Sequence, residues 1–173
     1  MKRFLGIATA ITLLSSISSQ AQEKTGWAIK ASINPGTTVV GGGHFVLGGG
    51  IGLEKTLNDQ FTATFNSGYT HYFSYHTNAA IVTPTFSYFG DIEKDLEWIP
   101  IKAGLNYFVN KQVYIGVDAG IGIETNGNSS FVYSPAVGLA MTKGIDLSVK
   151  YEDYTSYARS GQVALRLGYR FGL

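Results

Sequence analysis

Three groups of residues in this sequence have the types and spacing that chemistry needs. His71, Ser74 and His76 share the segment His-Tyr-Phe-Ser-Tyr-His-Thr-Asn, where an imidazole near a hydroxyl is the beginning of a nucleophile and base. Asp91, Glu93, Asp95 and Glu97 place four carboxylates within seven residues, a density that suits a divalent cation. Gly41-Gly42-Gly43 and Gly48-Gly49-Gly50 are runs of open backbone of the sort that cradles phosphate. None completes its constellation. The glycine runs lack a following Lys-Ser/Thr and a helix to present its N-terminus, and read as a loop and a crowded strand. The acidic segment lacks the regular liganding pattern of a calcium loop and reads as a solvated loop flank. No His cluster has metal spacing and no nucleophile has an identifiable base, so no catalytic residue, no cofactor and no metal site is expected.

The elements that must position these residues follow from composition and period. The chain has 173 residues, 45% hydrophobic and 14% charged, with 22 Gly and no Cys. That length suits one domain, and the lack of Cys excludes a disulfide scaffold, a thiolate metal site and a lipid-anchored N-terminal cysteine. Thirteen basic against twelve acidic residues give no basic face for nucleic acid, so no nucleic-acid partner is expected. At the N-terminus, Met1-Lys2-Arg3, the apolar run Phe4 to Leu14 and Ser19-Gln20-Ala21 form the three regions of a secretory signal peptide. Residues 1–21 are therefore expected to be removed on export, leaving 22–173 as the functional domain.

Past that point the chain repeats one theme, alternation with period 2 followed by turn-forming residues, which predicts strands. Eight are expected, over 27–34, 44–54, 61–73, 99–108, 112–124, 130–141, 145–153 and 161–173. Successive side chains of a strand point to opposite sides. One face falls on odd positions throughout, as in Ile29, Leu47, Phe65, Ile101, Val117, Val137, Val149 and Leu165. Of the odd positions in these ranges all but one are free of Asp, Glu, Lys and Arg, the exception being Asp153 at the end of the seventh strand, in a chain that is 14% charged. The even face carries Lys30, Glu54, Lys102, Asp118, Glu124, Asp146, Lys150, Glu152, Arg166 and Arg170, five acids and five bases, among ten glycines.

Alternation alone leaves open which face is inside, because a secreted ligand-binding barrel would put the apolar face inward. Ten glycines on the polar face suit a concave, crowded interior. Aromatic residues of the apolar face gather toward strand ends: Trp27, Phe61, Tyr107, Tyr169 and Phe171 toward one rim, Phe45, Tyr69, Phe73, Phe131, Tyr133 and Tyr151 toward the other. Two aromatic belts around an aliphatic band are what a bilayer selects. The connections alternate too. Residues 56–60, 109–111 and 142–144 are short turns, whereas 35–43, 74–98, 125–129 and 154–160 are longer. Short turns at one end and long loops at the other fit an outer-membrane barrel with both termini periplasmic.

The mature length resembles the small porin-like outer-membrane β-barrel proteins of Gram-negative bacteria. The resemblance is carried by Ile99-Pro100-Ile101-Lys102-Ala103-Gly104-Leu105-Asn106-Tyr107-Phe108 and by Val113-Tyr114-Ile115-Gly116-Val117. It is also carried by a C-terminus similar to the barrel-assembly signal, with Arg166, Gly168, Phe171 and Leu173 in its four places and Leu where Phe is usual. The resemblance implies an eight-stranded antiparallel up-and-down transmembrane β-barrel, inserted by the barrel-assembly machinery and in contact with outer-membrane lipid and lipopolysaccharide. It implies no activity.

An eight-stranded barrel is just wide enough for side chains to fill it, so the ten inward charges are expected to pair into a plug. Lys102 and Asp118, eight residues either side of Asn110, are expected to pair directly. Leu96 and Trp98 are even where Ile99 and Ile101 are odd, which predicts a bulge or a strand onset near Pro100. The segment 74–98 is expected to protrude as the main interaction surface, as a loop or as extended strand arms. The function expected is that of a monomeric, non-enzymatic outer-membrane barrel, structural or surface-interacting, with at most a narrow path for small solutes. Two alternatives are an outer-membrane lipid-modifying enzyme and a secreted ligand-binding barrel. Lipid A deacylases use His-x-Ser with a Glu on the lipid-facing wall; here the spacing is His-x-x-Ser, and no Glu falls on the apolar face of an expected strand.

Overall fold

The computed structural model describes residues 26–39, 42–83, 86–156 and 160–173, and along 74–94 and at 142 it describes the backbone alone. The expected signal peptide lies outside these residues. Eight strands follow one another: β1 (Trp27–Thr38), β2 (Phe45–Thr56), β3 (Phe61–Thr83), β4 (Phe86–Phe108), β5 (Val113–Glu124), β6 (Ser129–Ala140), β7 (Ile145–Tyr154) and β8 (Gln162–Gly172). Each pairs antiparallel with its neighbours in sequence, and β8 returns to β1 to close the barrel. This is the expected fold, an up-and-down transmembrane β-barrel with no open edge.

The short connections are built by local chemistry. Asn58 Oδ1 accepts from the N–H groups of Gln60 and Phe61, and Asn110 Oδ1 accepts in the same way from Gln112 and Val113. Each Asn side chain thus replaces a backbone acceptor and turns the chain. The third turn uses Lys143 at φ 67° and Gly144 at φ 83°, and the left-handed pair reverses direction after β6.

Prolines interrupt the ladders on one side only. Pro35 pairs with Leu47, Pro100 with Gly122 and Pro135 with Val117. On their other sides the bridges skip Asn34 and Pro35 against β8, Ile99 and Pro100 against β3, and Ser134 and Pro135 against β7. A proline has no N–H to donate, and a closed barrel offers no edge on which to hide that defect. The strand therefore runs on through Pro35 to Thr38, four residues beyond its expected end at Asn34.

The predicted bulge near Pro100 is absent; β4 keeps its parity through it. Leu96 and Trp98 are simply inward-facing apolar residues, buried like the even positions that follow them. The irregularity lies instead on β3, where Tyr72 pairs with Leu96 but Tyr75 with Lys94, so that one extra β3 residue is accommodated. Beyond it β3 and β4 pair with each other as far as Thr83 and Phe86. The pairing of β2 with β3 ends at Tyr72, and that of β5 with β4 at Trp98. Residues 75–83 of β3 and 86–94 of β4 thus form a two-stranded arm past the barrel wall.

The odd face points outward. Ile51 is 68% exposed and Val117 52%, values that in water would leave a large apolar belt unburied. The belt is bounded by aromatic contacts at both rims. Phe61–Tyr107 and Tyr169–Phe171 lie at the turn end, with ring centroids 5.3 and 4.6 Å apart, and Phe45–Phe73 and Tyr133–Tyr151 at the loop end, at 5.5 and 6.1 Å. At the turn end Lys55 also sits over the Trp27 ring, 4.8 Å from its centroid.

Candidate functional site: the barrel interior

The even face points inward, and its polar groups are arranged in two tiers. Nearest the turn end, Lys30 Nζ lies 2.5 Å from Glu54 Oε1 and 3.9 Å from Asp146 Oδ1. Arg170 joins the same two acids through Nε to Glu54 Oε2 (2.7 Å) and Nη2 to Asp146 Oδ2 (3.1 Å). Tyr114 donates its hydroxyl to Asp146 Oδ1 at 2.9 Å. Two bases and two acids thus form a closed square around one end of the lumen.

The middle tier has a different balance. Glu152 Oε2 accepts from both Lys102 and Lys150, the latter at 2.9 Å. Its other oxygen accepts from Gln162 Nε2 at 3.0 Å and from the Tyr154 hydroxyl at 3.5 Å. Asp118 Oδ1 accepts from Thr64 (2.7 Å) and Asn66 (3.2 Å), while Arg166 Nη2 reaches Asp118 Oδ2 at 3.5 Å. The expected direct pairing of Lys102 with Asp118 is not found. Lys102 stands across from Gly120 and Asp118 across from Gly104, one diagonal step apart. Each reaches over the lumen instead: Lys102 to β7, Asp118 to side chains of β3 and β8. In a narrow barrel the facing wall is as near as the next strand. Gly104 is required by this geometry, since a Cβ there would collide with the Asp118 carboxylate.

Glu124 stands apart, at the loop end of β5, where the side-chain amides of Asn126 and Asn128 donate to its oxygens at 3.1 and 2.9 Å. Of the assembly-signal residues, Arg166 belongs to the middle tier, Gly168 packs inward near Lys30 and Asp146, Phe171 belongs to the turn-end aromatic rim, and Leu173 donates its N–H to Trp27 O at 3.0 Å.

Above the middle tier, toward the loops, lies a group that charge and glycine counting overlooks. Val46, Tyr72, Leu96, Trp98, Val132 and Tyr154 form one buried apolar cluster inside the barrel. Trp98 and Tyr154 stack at 4.4 Å with their planes 16° apart, and Tyr72 meets Tyr154 edge-on. The Tyr72 hydroxyl donates to Ser160 O at 2.9 Å and so ties β3 to the β7–β8 connection. The signal is present in the sequence, because all six residues are even.

Cavities lie at the turn end and within the middle tier. One of about 600 Å³ at the turn end is lined by Trp27, Glu54, Thr62, Lys111 and Arg170 among others. The middle-tier cavity, about 30 Å³, lies against the glycine-rich part of β2 and β3.

On the outer wall, one expectation is corrected. A Glu does stand on the outward face of a strand: Glu97 on β4, across from His71 on β3. His71 Nδ1 is 3.3 Å from Glu97 Oε1 and Nε2 is 3.4 Å from Asp95 Oδ2, and the Thr125 hydroxyl donates to Glu97 Oε2 at 3.0 Å. Sequence reasoning misses this contact because β4 begins earlier than expected. A carboxylate thus stands at each ring nitrogen of His71. The side chains of Ser74 and His76 lie outside the described residues, as do those of Asp91 and Glu93. Among the described residues no group of three or more His, Asp or Glu is arranged to hold a metal ion.

No protein-family model matches the chain, and no curated protein sequence does. Solved structures do. A de novo designed barrel, TMB2.3, determined by solution NMR, is 15% identical with a TM-score of 0.56, covering 87% of this chain and 100% of its own. A second structure, from the de novo design of transmembrane β-barrels, is 14% identical with a TM-score of 0.53, covering 86% and 98%. Neisserial surface protein A is 18% identical with a TM-score of 0.48, covering 86% and 98%. At these identities the likeness is one of fold.

Proposed function

We propose that this chain is a non-enzymatic outer-membrane protein of the small porin-like type, with a lumen closed to solutes and a function carried by its loop end. The observation that carries the reading is the division of the wall. Its outer face is an apolar belt between two aromatic rims, and its inner face is buried charge capped by a stacked Trp98–Tyr154 pair. The space inside is about 600 Å³ at the turn end and about 30 Å³ in the middle tier, a narrowing that supports this reading. An interior filled in this way supports a scaffold better than a pore, and leaves the β3–β4 arm as the largest surface for a partner. In this reading the termini and the short turns are periplasmic, residues 1–21 direct export, the C-terminal Arg166, Gly168, Phe171 and Leu173 engage the assembly machinery, and the protein acts as a monomer.

The test is conductance in planar bilayers together with heat-modifiable migration on gels. Folded protein that shifts on heating and adds no conductance supports the reading. Regular single-channel steps would overturn it. The lipid-modifying alternative keeps one point in its favour, the His71–Glu97 contact on the outer wall. Unchanged lipid A composition on deletion of the gene would remove it.

A further inference from the structure

Among the described residues, the middle tier holds one more cation than its acids neutralise. Lys102 and Lys150 both converge on Glu152, on the same oxygen, and Arg166 has only Asp118, held through a single nitrogen at 3.5 Å. Three bases therefore meet two carboxylates. Neither carboxylate has much to spare: Glu152 also accepts from Gln162 and Tyr154, and Asp118 from Thr64 and Asn66. Lys30 stands on the same side of the lumen, but the turn-end square already balances it. All four cations are buried. An ammonium offers three N–H donors and a guanidinium five, far more than these carboxylates occupy.

The middle-tier cavity lies where that surplus is. Lys30, Lys102, Lys150 and Arg166 line it, with Asn34 and Asn66 and no carboxylate. Its volume of about 30 Å³ exceeds the roughly 10–15 Å³ that a single water-sized occupant needs. A buried charge without a partner costs several kcal/mol, so an arrangement of this sign and size favours a small anion over an empty space.

We propose that the cavity is a site for one monovalent inorganic anion of halide size, which completes the charge balance of the middle tier. The ion is held by Lys102, Lys150 and Arg166 from the strand walls of β4, β7 and β8, with the amide of Asn66 or Asn34 as a neutral donor. It is a structural ligand, bound when the barrel closes and retained because its partners are buried. The inference rests on the closed lumen proposed above only in that the ion is held and not passed. Conductance tests the closed lumen; halide dependence without conductance tests the site.

The experiment uses the refolded barrel in lipid, titrated with sodium bromide against sodium gluconate at equal ionic strength, with the urea midpoint of unfolding as the readout. A ligand that binds only the folded state raises that midpoint by mass action. Wild type is expected to gain stability with bromide and to saturate. Lys150→Met, which removes the surplus cation, is expected to lose the difference between the two salts. Crystals grown in bromide provide a second measurement that needs no variant, with an anomalous peak expected among Lys102, Lys150 and Arg166. Superimposable midpoints in the two salts, a bromide effect that survives in Lys150→Met, or a cavity without an anomalous peak would each overturn the site.

Discussion

Trp98 and Tyr154 lie face to face inside the barrel, 4.4 Å between ring centroids, on strands β4 and β7 that share no ladder. The stack bridges the lumen by contact across it, and it depends on a third residue. Gly122 of β5 faces both rings, and a Cβ built on it would collide with the Tyr154 ring. Gly122→Ala is therefore expected to destabilise the barrel by about 1–3 kcal/mol, the usual cost of overpacking. Gly49→Ala is the control, because its Cβ would meet nothing closer than Ser32 O at 3.7 Å and would face lipid. Urea unfolding in lipid of both variants checks this; equal behaviour would show that the stack has room to yield.

The interior pairs predict a pattern of couplings. In a double-mutant cycle Lys102→Met and Glu152→Leu should couple by about 1.5 kcal/mol or more, since losing one partner strands the other in a buried site. Lys102→Met and Asp118→Leu are diagonal neighbours that share no bond, and should couple by less than about 0.5 kcal/mol. A reversal of that order would restore the direct Lys102–Asp118 pairing that the hairpin spacing suggests.

The outer face predicts a penalty that only lipid imposes. Val117 and Leu165 are both exposed in the aliphatic band. Val117→Arg and Leu165→Arg should each cost about 2–4 kcal/mol in a bilayer, where charge near the midplane has no water. Refolding titrations in vesicles measure it, and neutral behaviour of both would place these residues away from the hydrocarbon.

Topology is read by proteolysis of intact cells. Protease added outside should cut in the arm spanning 75–94 or in the connections 39–44, 125–128 and 155–161, and spare the turns at Asn58, Asn110 and Lys143. Cleavage of the three turns with protection of the arm would invert the orientation.

Parity makes the two faces of the wall legible in the sequence, because within the barrel wall, up to Phe73 on β3, the strands keep odd residues out and even residues in. It is less informative wherever a second constraint acts. The arm beyond Tyr75 carries no clear strand signal, since a ribbon not packed on a barrel has no need of strict alternation. Pro35 suggests a strand end, yet closure of the barrel carries β1 past it. The identities of the charged lumen residues can be read from sequence; their partners cannot. Lys102 with Glu152 and Asp118 with Arg166 join strands that are not neighbours, a relationship set by the width of the barrel and not by any spacing along the chain.

The three proline interruptions have a mechanical meaning. They fall in the ladders β8–β1, β3–β4 and β6–β7, which lie three, three and two strands apart around the circumference. Hydrogen bonds act as hoops around such a cylinder, and at each interruption a hoop is cut while side chains on either side still hold. The wall therefore lacks part of its bracing at three places spread almost evenly around its circumference, each beside a residue with no proton on nitrogen.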